Sequence, residues 1–275
     1  MKVINLELKS NRFALTGDWH FGSPAVSTEA LSSFAKRVRT KRIPWFGLGD
    51  MLESIVPCDA RFDVRTGVTL AGSWLALQEY VRPVSRLCLG VVPGNHEITL
   101  SRLLGDFFPV LCDTVGLKYL SETAFVKMHR GSEKPITLFL AHGRLVFQGR
   151  AGYAERRSVN REIRLREYLQ FFDADLCAVG HGHQLVVAPP VYEMRLVAGE
   201  GVCHRRPVLT CETWHIMTPA MYRLYTEVPS YAESRLLAPA DIGWVEVVLN
   251  SDGIESVEQY DDAGRLNKVF LPRVV

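Results

Sequence analysis

Five short polar groups are spread over the first two-thirds of this 275-residue chain, each directly after a short apolar run. They are Gly17-Asp18-Trp19-His20, Gly49-Asp50, Gly94-Asn95-His96-Glu97, Ala141-His142-Gly143 and Gly180-His181-Gly182-His183. Carboxylate, imidazole and carboxamide are metal-binding side chains. A set without thiolate favours a borderline divalent ion such as Mn, Fe, Zn or Co over a calcium cage or a zinc finger. Asp18 and His20 are two residues apart, as are His181 and His183, and in extended backbone the side chains of such a pair point the same way. Each pair can therefore grip one ion or two. The adjacent glycines permit tight turns and close backbone approach beside a crowded polar centre. The sequence holds no G-x-x-x-x-G-K-[ST] loop and no G-x-S-x-G elbow, which argues against nucleotide-driven phosphoryl transfer and against a serine nucleophile.

In this order the blocks D-x-H, G-D, G-N-H-[DE], H and G-H-x-H resemble the calcineurin-like metallophosphoesterases. They run from Asp18 to His183, roughly 60% of the chain. The resemblance implies two divalent ions, manganese first, with Fe, Zn, Co or Ni as the other choices. One would be held by Asp18, His20, Asp50 and His183, the second by Asp50, Asn95, His142 and His181, with Asp50 bridging. His96 would face the scissile phosphate, contacting its oxygens or protonating the leaving group, and Asn95 would also touch substrate. Two such ions about 3.5 to 4 Å apart share a water, lower its pKa toward neutrality and clamp the phosphoryl oxygens for in-line attack. The implied activity is hydrolysis of phosphate esters, with a phosphodiester in DNA, RNA or a nucleotide as the expected substrate. The Gly17-to-Gly22 block is similar to that of repair nucleases in the superfamily, and the plain Ala141-His142-Gly143 block to that of small bacterial and phage-borne members. The implied fold is a four-layer α/β/β/α sandwich of two mixed sheets, with the site at strand ends along one edge.

The residue pattern itself supports an α/β class. Strands are expected at Phe13 to Thr16, Ile43 to Leu48, Leu89 to Val92, Ile136 to Ala141 and Leu176 to Val179. Leu31, Phe34, Ala35 and Val38 recur at helical spacing, and Trp74 to Leu87 and Glu162 to Phe172 read as further amphipathic helices. In an open α/β sheet, residues just past the carboxyl ends of strands converge on one crevice, so distant segments can build one site. Residues 184–275 turn β-branched and aromatic, with strands expected at Leu185 to Val187, Val208 to Thr210 and Trp244 to Leu249. Thr213 to Ile242 is the least legible stretch. No linker or repeat divides the chain, so one domain over 1–275 is expected, with a motif-bearing core at 13–183 and second-sheet strands beyond it.

Residues 144–166 hold seven arginines (Arg144, Arg150, Arg156, Arg157, Arg161, Arg164 and Arg166) against two acids, Glu155 and Glu162. They form either a basic loop that steers an anionic substrate, Arg144 being the best placed, or a solvated helix face. Trp19 and Phe21 read as core before base-stacking groups, Glu53 and Glu97 as helix-start acids before supports of the site, and His129, His204 and His215 as surface or core residues. A net charge of +2 excludes a polybasic arm or an acidic tail as the basis of function. No apolar run reaches membrane-span length and no leader precedes the first block, which points to a cytoplasmic protein without a membrane partner. The six scattered cysteines form no C-x-x-C pair and read as free thiols. Protein partners and oligomeric state are open. Two further readings stand beside the phosphodiesterase: a phosphomonoesterase, and a scaffold that keeps the fold without catalysis.

Overall fold

The computed structural model describes residues 2–56, 69–144, 152–198, 203–225 and 239–274. Cys58, Arg150, Tyr231 and the side chains of Cys203 and His204 lie outside the description. In chain order the elements are β1 (Lys2–Glu7), β2 (Arg12–Thr16), α1 (Thr28–Lys41), β3 (Trp45–Gly47), α2 (Leu70–Val81), β4 (Cys88–Val91), α3 (Asn95–Leu104), α4 (Phe107–Val115), β5 (Thr123–His129), β6 (Ile136–Ala141), α5 (Ala154–Leu169) and β7 (Leu176–Val179). Then follow β8 (Val186–Ala188), β9 (Val191–Ala198), β10 (Cys203–Cys211), β11 (Trp214–Met217), β12 (Trp244–Asn250), β13 (Gly253–Tyr260), β14 (Leu266–Phe270) and β15 (Arg273–Val274).

Strand alternation builds the layers. Two mixed six-stranded sheets, ordered β1-β5-β6-β7-β11-β8 and β14-β13-β12-β2-β3-β4, are present. Phe13, Leu15, Phe46, Val245 and Val247 of the second sheet pack against Leu138, Leu140, Leu176, Ala178 and Ile216 of the first. The residues between them point outward. Ala14, Trp45 and Trp244 meet Phe34 and Val38 of α1, Leu77 of α2 and Phe108 of α4, while Phe139, Cys177 and Val179 meet Leu165 and Leu169 of α5. The result is the expected α/β/β/α arrangement. Each fully buried aliphatic or aromatic side chain adds roughly 1.5–3 kcal/mol. In α1 the buried positions are Ala30, Leu31, Phe34 and Val38, and Ser27 caps its start by accepting from the Ala30 N–H at 3.3 Å.

Several boundaries differ from expectation. The strand expected from Ile43 is β3, only three residues long, because Pro44 cannot donate to a ladder. The helix expected over Trp74 to Leu87 begins earlier, at Leu70, and ends at Val81; Pro83 cannot continue it, and a 3₁₀ turn covers Ser85–Leu87. The helix expected from Glu162 starts at Ala154, so most of the arginine-rich segment is helix. β1, β5, α3 and α4 come without a sequence expectation, as does a third sheet, β10-β9-β15. The described thiols Cys88, Cys112, Cys177 and Cys211 are free, as expected. Among the described residues no helix is long and apolar enough to cross a membrane.

Two parallel runs set up the site. β2, β3 and β4 pair in parallel in one sheet, and β6 and β7 in the other, so their carboxyl ends lie along one edge. A strap ties these edges together. Thr218 N–H donates to Val179 O at 2.9 Å, Ala220 bridges to Gly17, and Met221 N–H donates to Asp18 O at 3.0 Å.

Candidate metal centre

All eight residues that the motif blocks single out converge at that edge. Asp18 and His20 follow β2, Asp50 follows β3, Asn95 and His96 open α3 after β4, His142 follows β6, and His181 and His183 follow β7. Three sets bring ligand atoms within 4.8 Å of one another: Asp18 with His20 and His183, Asp50 with His142 and His181, and His20 with Asp50 and His96. His183 Nε2 lies 3.2 Å from Asp18 Oδ1, and His142 Nε2 lies 3.1 Å from Asp50 Oδ2. The Asn95 carboxamide sits 3.2 Å from His142 Nε2 and 2.8 Å from His181 Nδ1. With its oxygen inward it adds a lone pair to a ring of acceptors; with its nitrogen inward it would donate to them. Asp50 is the hub, with His20 Nε2 and His96 Nε2 each 4.0 Å from its Oδ2.

The backbone reaches this arrangement differently from the expectation. Asp18, His20, Asp50, His181 and His183 have φ of 52°, 51°, 49°, 68° and 51°. The paired residues therefore do not converge through extended backbone; left-handed turns aim them. Non-glycine residues in that region carry a conformational cost of order 1–3 kcal/mol, and such strain concentrates at functional sites. Two glycines make the close approach possible. A Cβ on Gly94 would fall 2.0 Å from Asp50 Oδ1, and one on Gly49, at φ 88°, would fall 2.4 Å from Gly94 N.

Surrounding groups fix the rings. His142 Nδ1 faces Leu48 O at 2.6 Å and His20 Nδ1 faces Glu53 Oε2 at 2.7 Å, so the Nε2 atoms of both rings point into the centre. His96 Nδ1 faces the carbonyl of Glu53, which likewise turns its Nε2 inward. Glu53 is thus no helix-start acid, since it lies in no helix and holds a ring instead. Its place three residues after Asp50 is the signal that could have marked it. Glu97 does start a helix, accepting from Gly94 N at 2.7 Å, and it also accepts from Asp50 N and Leu52 N, both at 2.9 Å, fixing the loop that carries Asp50. Burial and the neighbouring Asp50 charge push the Glu97 carboxyl up to about 7.

Imidazoles meet the buried charges. Burial opposes ionisation of Asp18 and Asp50, but His183 holds Asp18 below, and His142 holds Asp50 well below, the usual carboxylate range. Burial lowers His20 and His142, yet Glu53 lifts His20 to about 9 and Asp50 lifts His142 to about 10. Burial and the His142 charge take His181 down to about 4, and burial lowers His96. Protons on two imidazoles thus balance the aspartates, a role that a divalent cation held by the same atoms would take over. The donor set, oxygen and imidazole nitrogen without sulfur, fits such an ion.

Trp19 and Phe21 are core residues: the Trp19 ring packs on Trp45 and Phe34, and its Nε1 donates to Thr16 Oγ1 at 2.8 Å. Arg144 is exposed, two residues beyond His142. Of the arginines on α5, Arg166 is partly buried and donates to Cys211 Sγ and Pro189 O, and Arg161 donates to Gln184 Oε1 at 2.9 Å. His215 is buried and His129 sits 3.2 Å from Asn5 Oδ1, both away from the centre. Tyr222, from the stretch least legible in sequence, packs its ring on His20 with centroids 4.6 Å apart.

No protein-family model and no curated protein matches the chain. Thirteen solved chains do. One is a conserved uncharacterized protein, a predicted phosphoesterase, from Streptococcus pneumoniae TIGR4, at 13% identity over 94% of this chain and 97% of that one, TM-score 0.38. Another is GAP50, the anchor in the inner membrane complex of Plasmodium, at 14% identity over 94% and 87%, TM-score 0.48. A third is a metallophosphoesterase from Sphaerobacter thermophilus, at 17% identity over 88% and 85%, TM-score 0.39. Likenesses this loose carry no argument about chemistry, which rests on the centre itself.

Proposed function

We propose that the protein is a metal-dependent phosphoesterase, and more specifically a two-metal phosphodiesterase acting on nucleic acid or nucleotides. The observation that carries this reading is the convergence of carboxylate, carboxamide and imidazole side chains from five strand ends around Asp50, with His96 at its side. In this reading Asp18, His20, Asp50 and His183 hold one divalent ion, Asp50, Asn95, His142 and His181 hold the other, and manganese is the first choice. Bound there, the two ions would supply Lewis acidity and a nucleophilic water at neutral pH.

The chain's own residues do the rest. Asn95, His181 and His183 are the partly exposed members of the centre, so substrate enters on their side. With Nδ1 committed to the Glu53 carbonyl, His96 can approach a phosphoryl oxygen, or give a proton to the leaving group, only through Nε2. Arg144, exposed and two residues beyond His142, would add positive potential near the centre. The testing experiment is hydrolysis of bis(p-nitrophenyl) phosphate and of p-nitrophenyl phosphate with Mn²⁺ restored after chelation, in the native protein, Asp50→Ala and His96→Ala. Preferential cleavage of the diester, lost in both variants, supports the reading. Preference for the monoester would redirect it to a phosphomonoesterase. Metal uptake without cleavage of either ester would favour the scaffold.

A further inference from the structure

We propose that Tyr222 is a positioning residue for one of the two ion positions, the one around Asp18, His20 and His183, and that it makes this the tighter of the two. The proposal rests on the two-metal reading above. The Tyr222 ring lies 4.6 Å from the His20 ring at 47° and 5.6 Å from the His183 ring at 64°, centroid to centroid. These imidazoles bring their Nε2 atoms within 3.2 Å of each other. A ring packed on both limits how far either can turn out of the ligating orientation. Tyr222 is 3% exposed, so it also keeps water from that flank, and attraction between an ion and its ligands strengthens where the local dielectric is low.

The backbone holds Tyr222 in register with the same ligands. Met221 N–H donates to Asp18 O at 3.0 Å, Ser27 N–H to Met221 O at 2.8 Å and Arg223 N–H to Ala25 O at 2.8 Å, while Tyr222 itself bridges to Val26. One short segment thus fixes the Asp18 backbone and packs on His20 and His183. Glu53 closes the other flank through His20 Nδ1. The second position is built differently. Among the described residues the rings of His142 and His181 pack on each other at 5.2 Å, and its ligands His181 and Asn95 are partly exposed, as is His183 of the first position. A tyrosine ring packed on both imidazoles sets the first position apart from the second among the described residues, so the first retains its ion more tightly.

The test is Mn²⁺ binding, followed by calorimetry and electron paramagnetic resonance, in the native protein, Tyr222→Phe and Tyr222→Ala. Circular dichroism checks the fold, and Tyr222→Leu replaces the alanine variant if that one does not fold. The expected result is two ions in the native protein and in Tyr222→Phe, with unchanged affinities. In Tyr222→Ala the tighter ion is expected to weaken about tenfold or more, the usual range for loss of a residue that orients a metal ligand. Its spectrum should also shift from coupled toward isolated Mn²⁺. Two ions at native affinity in Tyr222→Ala would overturn the proposal, and an equal loss in Tyr222→Phe would overturn the role of the ring. Failure of the native protein to bind Mn²⁺ would instead overturn the two-metal reading.

Discussion

Asp18 and Asp50 at the strand ends and Glu246 on the outer face of β12 are all buried carboxylates, at 0%, 2% and 0% exposure, yet they are neutralised by different means. Glu246 faces fixed cations. Arg12 Nη1 reaches its Oε2 at 2.9 Å, Arg37 Nη2 does so at 3.0 Å, and Trp244 Nε1 donates to its Oε1 at 3.3 Å. Tyr260 completes the cluster by stacking under the Arg37 guanidinium at 3.9 Å and bonding Glu258 at 2.7 Å. Both oxygens of Glu246 thus meet fixed donors, and its charge is already matched. At the strand ends the aspartates face imidazoles, which can surrender their protons, and a carboxamide that can turn either way. A buried charge already matched by arginine is costly to unpair, whereas one met by titratable nitrogen lone pairs is disposed to take an ion.

Removing the hub of each cluster should therefore do opposite things. For Asp50→Ala the expectation is a fall in kcat/KM of at least about a thousand-fold, or ~4 kcal/mol of transition-state stabilisation, with Mn²⁺ binding lost. The metal-free protein should melt somewhat below the native temperature, because His142 loses the carboxylate that keeps it protonated. His96 N–H loses its 2.9 Å partner Asp50 Oδ1, but repulsion between the two aspartates is relieved. Steady-state kinetics, calorimetry with Mn²⁺ and thermal melts of chelated protein check the three parts. Retained activity would remove Asp50 from the centre of the argument.

His215 tests the comparison from outside both clusters. It lies in β11, buried, with no hydrogen-bond partner for Nδ1 among the described residues, and burial together with the Arg166 charge takes it down to about 4 from an ordinary 6.5. The unfolded chain binds a proton between those values that the fold refuses, so stability is lost as pH falls through that window. The loss amounts to at most about 3 kcal/mol by pH 4. In His215→Phe, urea unfolding between pH 7 and pH 4 should show a shallower decline than in the native protein. Parallel declines would mean that His215 is protonated within the fold.

Glu246→Gln should cost about 2 kcal/mol, because it leaves two partly exposed arginines facing a neutral amide, and Mn²⁺ affinity should not move. Urea unfolding and calorimetry read the two quantities separately. A change in metal affinity would mean that the clusters are coupled through β12 and β2, and the contrast between them would fail.

The division between what the sequence reveals and what it hides follows the same physics. The candidate ligands are legible because metal chemistry restricts residue type, and five blocks in one order are hard to produce otherwise. Their geometry is not legible: extended spacing suggests how Asp18 and His20 pair, but left-handed turns make the pairing, and periodicity does not record them. Core strands such as β6 and β7 show as apolar runs because both faces are buried. The strap from Thr218 to Met221 stays hidden because isolated bridges and single hydrogen bonds, without a repeating pattern, hold it in place. Tyr222 is hidden with it. The Glu246 cluster escapes notice for a related reason, since its members lie 209 and 234 residues apart in sequence and carry no motif.

Arg144 carries its charge in a third way, in water, and the expected effect is correspondingly the smallest. An exposed cation at the edge of a site acts mainly on encounter and on salt dependence. For Arg144→Ala the expectation is a rise in KM for an oligonucleotide of about three- to ten-fold at low salt, with kcat near native. The difference should shrink as ionic strength rises, because an exposed charge is screened over about 10 Å at 0.1 M salt. Asp50 should behave otherwise, since its partners are buried and screening cannot replace them. Measuring KM for both the oligonucleotide and bis(p-nitrophenyl) phosphate, at two salt concentrations, separates the possibilities. An effect confined to the oligonucleotide would place Arg144 on the path of a polyanion, an equal effect on both esters would place it against the reacting phosphate, and no effect would leave it as part of a solvated surface.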